Sequence, residues 1–161
     1  MKRLFFILLF FGVIFLCACG RQEKILEYQE RDITANCIIN GKYGVLLEKR
    51  GGEVTITVTE PDYARGITFV LGEGVTASVG ETEIHLDKET VKGICAIGET
   101  FSQSEECLIG ASSAEEGSVL TFQKNGCLYR LTLGKNSLPK QVYISSESFE
   151  YNMEIASIEL T

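Results

Sequence analysis

Val54-Thr55-Ile56-Thr57-Val58-Thr59 alternates β-branched apolar residues with threonine at a period of two, the pattern of a strand with one buried and one wet face. The alternation spreads outward from there. Ile67-Thr68-Phe69-Val70-Leu71, Val75-Thr76-Ala77-Ser78-Val79 and Thr82-Glu83-Ile84-His85-Leu86 repeat it, separated by the turn signals Pro61-Asp62, Gly72-Glu73-Gly74 and Gly80-Glu81. Upstream, runs near Ile33–Ile39 and Val45–Lys49 read the same way, with Arg50-Gly51-Gly52 as the next turn. Links this short join only antiparallel neighbours, so the spacing predicts a meander with one wet face.

The period changes once. Asp87 is placed to cap a helix in which Val91, Ile94, Cys95, Gly98 and Phe101 recur at helical spacing. That helix, between about Asp87 and Phe101, would lay its apolar stripe on the inner face of the sheet. Strands resume over Cys107–Ser112, Ser118–Lys124, Cys127–Leu133, Lys140–Ser145 and Phe149 to about Ser157, and Asn125-Gly126 is the strongest hairpin signal of the chain. The expectation is a mainly β (α+β) domain over residues 32–161, with about eleven strands in one curved antiparallel sheet and one or two short covering helices.

The chain begins Met1-Lys2-Arg3, runs from Leu4 to Leu16 almost without a polar atom, and continues Cys17-Ala18-Cys19-Gly20. A basic start, a short apolar core and a small residue at the exit read as a secretory signal peptide over residues 1–18. The apolar run falls short of the roughly 20 residues a membrane-crossing helix needs. An uncut anchor and a signal cleaved elsewhere are the competing readings. The segment resembles a bacterial lipoprotein lipobox, with Leu16 at −3, Ala18 at −1 and Cys19 first in the mature chain. The resemblance implies cleavage after Ala18 and a diacylglyceryl thioether on the Cys19 sulfur, and a two-chain anchor holds far more firmly than the marginal single chain. Residues 19–31 then read as a lipidated tether turning into a short helix. The expected location is the outer face of the cytoplasmic membrane. Gly20 is not the aspartate that marks inner-membrane retention in some bacteria, so sorting to an outer membrane stays open.

The chain of 161 residues carries a net charge of −7, and the two cations Lys2 and Arg3 leave with the signal. An acidic exported domain repels phosphate backbones, which argues against a nucleic-acid partner. Lys49-Arg50 is the densest basic spot after the signal and reads as a solvated hairpin end. Cys37, Cys95, Cys107 and Cys127 are the cysteines left once Cys17 departs and Cys19 takes lipid. None forms a C-x-x-C pair, against zinc and against a redox motif. Outside the cytoplasm disulfides are permitted, with Cys95 and Cys107 the nearest candidate pair, while Cys37 and Cys127 fit plain buried thiols.

Catalytic signals are faint. His85 is the one histidine, and alternation puts it with Glu83 on the wet side, opposite Ile84 and Leu86. Glu105-Glu106 and Glu115-Glu116 lack the calcium-loop pattern and read as solvated acids. Gly72-Glu73-Gly74 sits between two strands and reads as a hairpin turn, not a phosphate cradle. No enzyme, cofactor or metal site is expected.

The layout resembles the LolA/LolB-like lipoprotein carriers. The residues that carry the likeness are the anchored start, Val54–Thr59 followed by Glu60-Pro61-Asp62, the strand Gly66–Leu71, and the closing Tyr129-Arg130-Leu131-Thr132-Leu133 with Leu138-Pro139-Lys140-Gln141-Val142. The resemblance implies an unclosed half-barrel with helices over its concave face. The inward candidates are Ile56, Val58, Ile67, Phe69, Leu71, Val79, Phe122, Tyr129, Leu131, Val142 and Ile144. Either they line a hollow that takes an acyl chain or lipid by the hydrophobic effect, or they fill an ordinary core. The first alternative makes an anchored apolar-ligand or lipoprotein-handling module, with Ile56, Val58, Ile67, Phe69, Leu71, Phe122, Tyr129 and Leu131 as its cavity. The second makes an anchored interaction or sensory domain that meets a protein partner through its threonine-rich face or a sheet edge.

Overall fold

The computed structural model describes residues 27–114 and 117–161. Its first residues form a 3-10 turn, Glu27–Glu30. Strands β1 (Ile33–Ile39), β2 (Tyr43–Arg50), β3 (Glu53–Val58), β4 (Thr68–Leu71), β5 (Val75–Val79) and β6 (Thr82–Leu86) precede helix α1 (Lys92–Glu99). Strands β7 (Leu108–Ala114), β8 (Gly117–Lys124), β9 (Cys127–Leu133), β10 (Pro139–Ser145) and β11 (Glu150–Leu160) follow. All described strands share one antiparallel sheet in the order β6-β5-β4-β3-β2-β1-β11-β10-β9-β8-β7.

That order is two meanders joined at their outer ends in sequence and at their inner ends in space. The first and last strands pair at the centre, from Ile33 opposite Leu160 to Ile39 opposite Met153. A bulge between Asn36 and Cys37 sits in this seam, a device that bends a strand and increases its twist. The edges β6 and β7 do not pair with each other, so the sheet is an unclosed half-barrel. The chain passes from one edge to the other through α1, which packs on β3 and β4. Asn125 (φ 51°) and Gly126 (φ 75°) make the β8–β9 hairpin, because a two-residue turn of matching twist needs positive φ at both positions.

Register fixes which side chains share the concave face. Val54 and Ile56 lie opposite Leu71 and Phe69, which lie opposite Val75 and Ala77, and these face Leu86 and Ile84. On the other arm Leu120, Leu131, Val142 and Met153 run across β8 to β11 in one row, with Phe122, Tyr129, Ile144 and Tyr151 in the next.

Two expectations are corrected. The helix starts at Lys92, not at Asp87, because the Asp87 carboxylate is engaged in a turn of its own: Oδ1 accepts the Glu89 N–H at 2.7 Å. The helix cap is Val91, with no side-chain bond. Lys49 is not solvated either; it is 8% exposed, while Arg50 is exposed beside Glu48. Lys49 has inward parity with Val45 and Leu47. Its ammonium donates to the carbonyl of Phe101 (3.1 Å) and to that of Gln29, acceptors from two segments that converge beneath the sheet. Burial pushes the Lys49 pKa down, against the attraction of Asp32.

Candidate functional site

The concave face is not uniform. In the centre and the C-terminal arm Phe122, Tyr129, Leu131, Val142, Ile144 and Met153 have no exposed surface, and Ile56 retains 1%. Side chains without accessible surface are close-packed, so Ile56, Phe122 and Leu131 are packed core where a cavity lining was the alternative, and Tyr129, equally buried, borders only the pocket beside α1. Phe101, just past α1, is the plug, fully buried among them.

The N-terminal arm differs. Along β5 the same face changes from Val75, 2% exposed, to Val79, 55% exposed. Ile84 on β6 is 56% exposed, and Val58, Ile67, Phe69 and Leu71 are half-buried. The cause lies in α1, which covers one end of this arm and stops. Gly98 is the contact point: a Cβ there would lie 3.3 Å from Leu71 Cδ2 and 3.5 Å from Val54 Cγ1, so the missing side chain lets the helix settle onto β3 and β4. Beyond Gly98 the apolar floor of Val58, Ile67, Phe69, Val79 and Ile84 lies open. Tyr43 shares the parity of Val45 at this end, with Lys42 Nζ 5.2 Å from its ring centre. The Tyr63 hydroxyl, bonded to that of Tyr43, and then Lys42 lower the Tyr43 pKa. The rim of the open floor is therefore polar and aromatic.

A second feature opens on the other side of α1, a pocket of about 630 Å³ between the helix and the β8–β9 and β10–β11 turns. Lys92, Cys95, Ala96 and Glu99 face it at helical spacing, against Asn125, Cys127, Ser146 and Phe149. Glu99 is the hub. It accepts from Asn125 Nδ2 (2.9 Å to Oε1) and from the Tyr129 hydroxyl (3.3 Å to Oε2), with Lys124 Nζ 3.8 Å away. Burial first, then the Glu99 charge, raises the Tyr129 pKa, so the phenol stays a donor. Burial also raises the Cys95 and Cys127 thiols above their ordinary values.

Cys95 and Cys107 do not meet. Cys95 faces the pocket, whereas Cys107 ends the 3-10 turn Glu105–Cys107 and takes a hydrogen bond from Ser104 Oγ at 3.4 Å. All four described cysteines are free thiols. His85 is exposed on the convex side and bonds Thr76 Oγ1 through Nδ1 at 3.1 Å. Among the described residues no group of three or more His, Cys, Asp or Glu side chains is placed to hold a metal, and no helix is long and apolar enough to cross a membrane. Ala18, Cys19 and the tether up to residue 26 lie outside the described residues, as do Glu115 and Glu116. The partial closure of the concave face escaped sequence reasoning, because Val79 and Val75 obey the same alternation and only the helix position separates them.

No family model matches this chain, and no curated protein matches it. Several solved structures resemble it. An uncharacterized conserved protein from Thermus thermophilus is 12% identical over 86% of each chain, with a TM-score of 0.49. A LolA superfamily protein from Nitrosomonas europaea is 11% identical over 86% of this chain and 93% of its own, with a TM-score of 0.45.

Proposed function

We propose that this protein is a non-catalytic, membrane-anchored extracytoplasmic carrier that receives an acyl chain of a lipid or lipoprotein on the open part of its concave face. One observation carries the reading: the inward apolar row is sealed in the C-terminal arm yet bare at Val79 and Ile84 in the N-terminal arm. Apolar floor left in water is worth about 25 cal/mol per Å² to whatever covers it, and the Tyr43–Tyr63 rim suits the polar end of an amphiphile. The lipobox residues Leu16, Ala18 and Cys19 supply the anchor in this reading, by cleavage after Ala18 and lipid on Cys19. The packed C-terminal arm favours the second reading, an anchored interaction domain that binds no lipid.

The test is titration of a fluorescent fatty acid into the chain starting at Gly20. Ile84→Asp puts a charge on the open floor; Ile38→Asp does so at an apolar residue, 39% exposed, of opposite parity on β1. The carrier reading expects binding by the parent and by Ile38→Asp, and loss in Ile84→Asp. Absence of binding by the parent, or equal loss in both variants, overturns it.

A further inference from the structure

Strand β6 is a five-residue sheet edge whose one formally charged side chain is Glu83. It carries no lysine, proline or bulge, and its register with β5 is unbroken from Val75–Leu86 to Val79–Thr82. Thr82, Glu83, Ile84 and His85 are all exposed. The other edge, β7, is interrupted by a register shift between Leu108 and Gly110.

The side chains of β6 are complementary to themselves. If two copies of the strand pair antiparallel about a two-fold axis through Ile84, Ile84 faces its own copy, and Glu83 of each strand faces His85 of the other. A hydrogen-bonding donor placed directly across strands from a carboxylate is favourable, and two carboxylates there are not. His85 already turns Nδ1 to Thr76 on β5, which leaves Nε2 as the nitrogen for a carboxylate beyond the edge. The axis is perpendicular to the sheet, so both concave faces open to the same side. The two Ile84 side chains, each 56% exposed in the single chain, then cover one another across the seam.

We propose that β6 is a homodimerisation edge, pairing antiparallel with β6 of a second copy in a register centred on Ile84. The pairing does not rest on ligand uptake. A five-residue edge is small beside the roughly 800 Å² per partner of a standard interface. Confinement at a membrane raises the effective concentration that such a contact needs.

The experiment uses the full chain in a bacterial envelope, with copper-phenanthroline oxidation and non-reducing gels. Cysteine is introduced singly at Thr82, Glu83, Ile84 and His85. Residues directly opposite have Cβ atoms about 4.5–5.5 Å apart, so only Ile84→Cys meets itself. Most of the Ile84→Cys chain should run as a disulfide dimer, with the three other variants at the level of the parent, whose own cysteines are the control. In the Ile84→Cys background His85→Glu should lower the dimer yield, and adding Glu83→His should restore it, since the swapped pair is again complementary. Equal cross-linking at all four positions, none at Ile84→Cys, or no response to the charge swap overturns the proposal. A ladder of higher oligomers in place of a dimer would assign the contact to a β6–β7 pairing instead and overturn it equally.

Discussion

A phenylalanine at Leu131 and a phenylalanine at Val79 should have opposite consequences, although both residues occupy inward positions of β strands. Leu131 has no exposed surface and is flanked by Leu120 on β8 and Val142 on β10, which are 1% and 0% exposed. Neither neighbour can yield into open space, so the larger ring must force rotamers or backbone aside, at about 1–3 kcal/mol. For a domain of this size each kcal/mol moves the melting midpoint by roughly 3–5 °C, so Leu131→Phe should melt about 3–15 °C early. Val79, 55% exposed at the uncovered end of β5, has room for the ring, and Val79→Phe should stay within about 0.5 kcal/mol of the parent. The assay is thermal unfolding followed by circular dichroism, on both variants and the parent at one concentration. A neutral Leu131→Phe would mean that the C-terminal arm is hollow. An equal loss in both variants would mean that helix and plug seal the two arms alike. Either result refutes the division of the concave face.

Two further outcomes follow from single cysteines. Burial pushes the Cys37 thiol from 9.0 up to about 12, so its contribution to stability is full below pH 9 and is lost as pH rises towards 12. Urea midpoints should therefore fall across that window, and Cys37→Ala, though less stable throughout, should lose part of the slope; an unchanged slope would remove the thiol as its source. Cys19→Ser should abolish lipidation, and detergent-phase partitioning of the expressed chain checks it: a variant that still enters the detergent phase at the parent's mobility contradicts the anchor.

Strand content was legible because alternation is a local signal. Val75–Val79, Thr82–Leu86 and Cys127–Leu133 are strands with the bounds their patterns indicate, and Asn125-Gly126 turns where its φ preference demands. The helix was legible in position but not in its start, since an aspartate ahead of an apolar stripe serves an Asx turn as readily as a helix cap, and Asp87 does the former. Lys49 was misjudged for a different reason. Its parity put it inside, but a lysine is buried only where acceptors wait for it, and those acceptors, the carbonyls of Gln29 and Phe101, come from segments distant in sequence. Filled and open parts of one face look identical in composition: Phe122 and Phe69 both follow the alternation, yet Phe122 is fully buried in the cluster that holds Phe101 and Phe69 is half-covered.

The central claim, an open apolar floor that holds an acyl chain, is tested most directly by native mass spectrometry of the chain starting at Gly20, purified without detergent from bacterial cells. The account predicts a population carrying a lipid-sized mass adduct, released on mild activation and absent from Ile84→Asp. A bare mass for the parent, unchanged after incubation with a long-chain fatty acid, would contradict it.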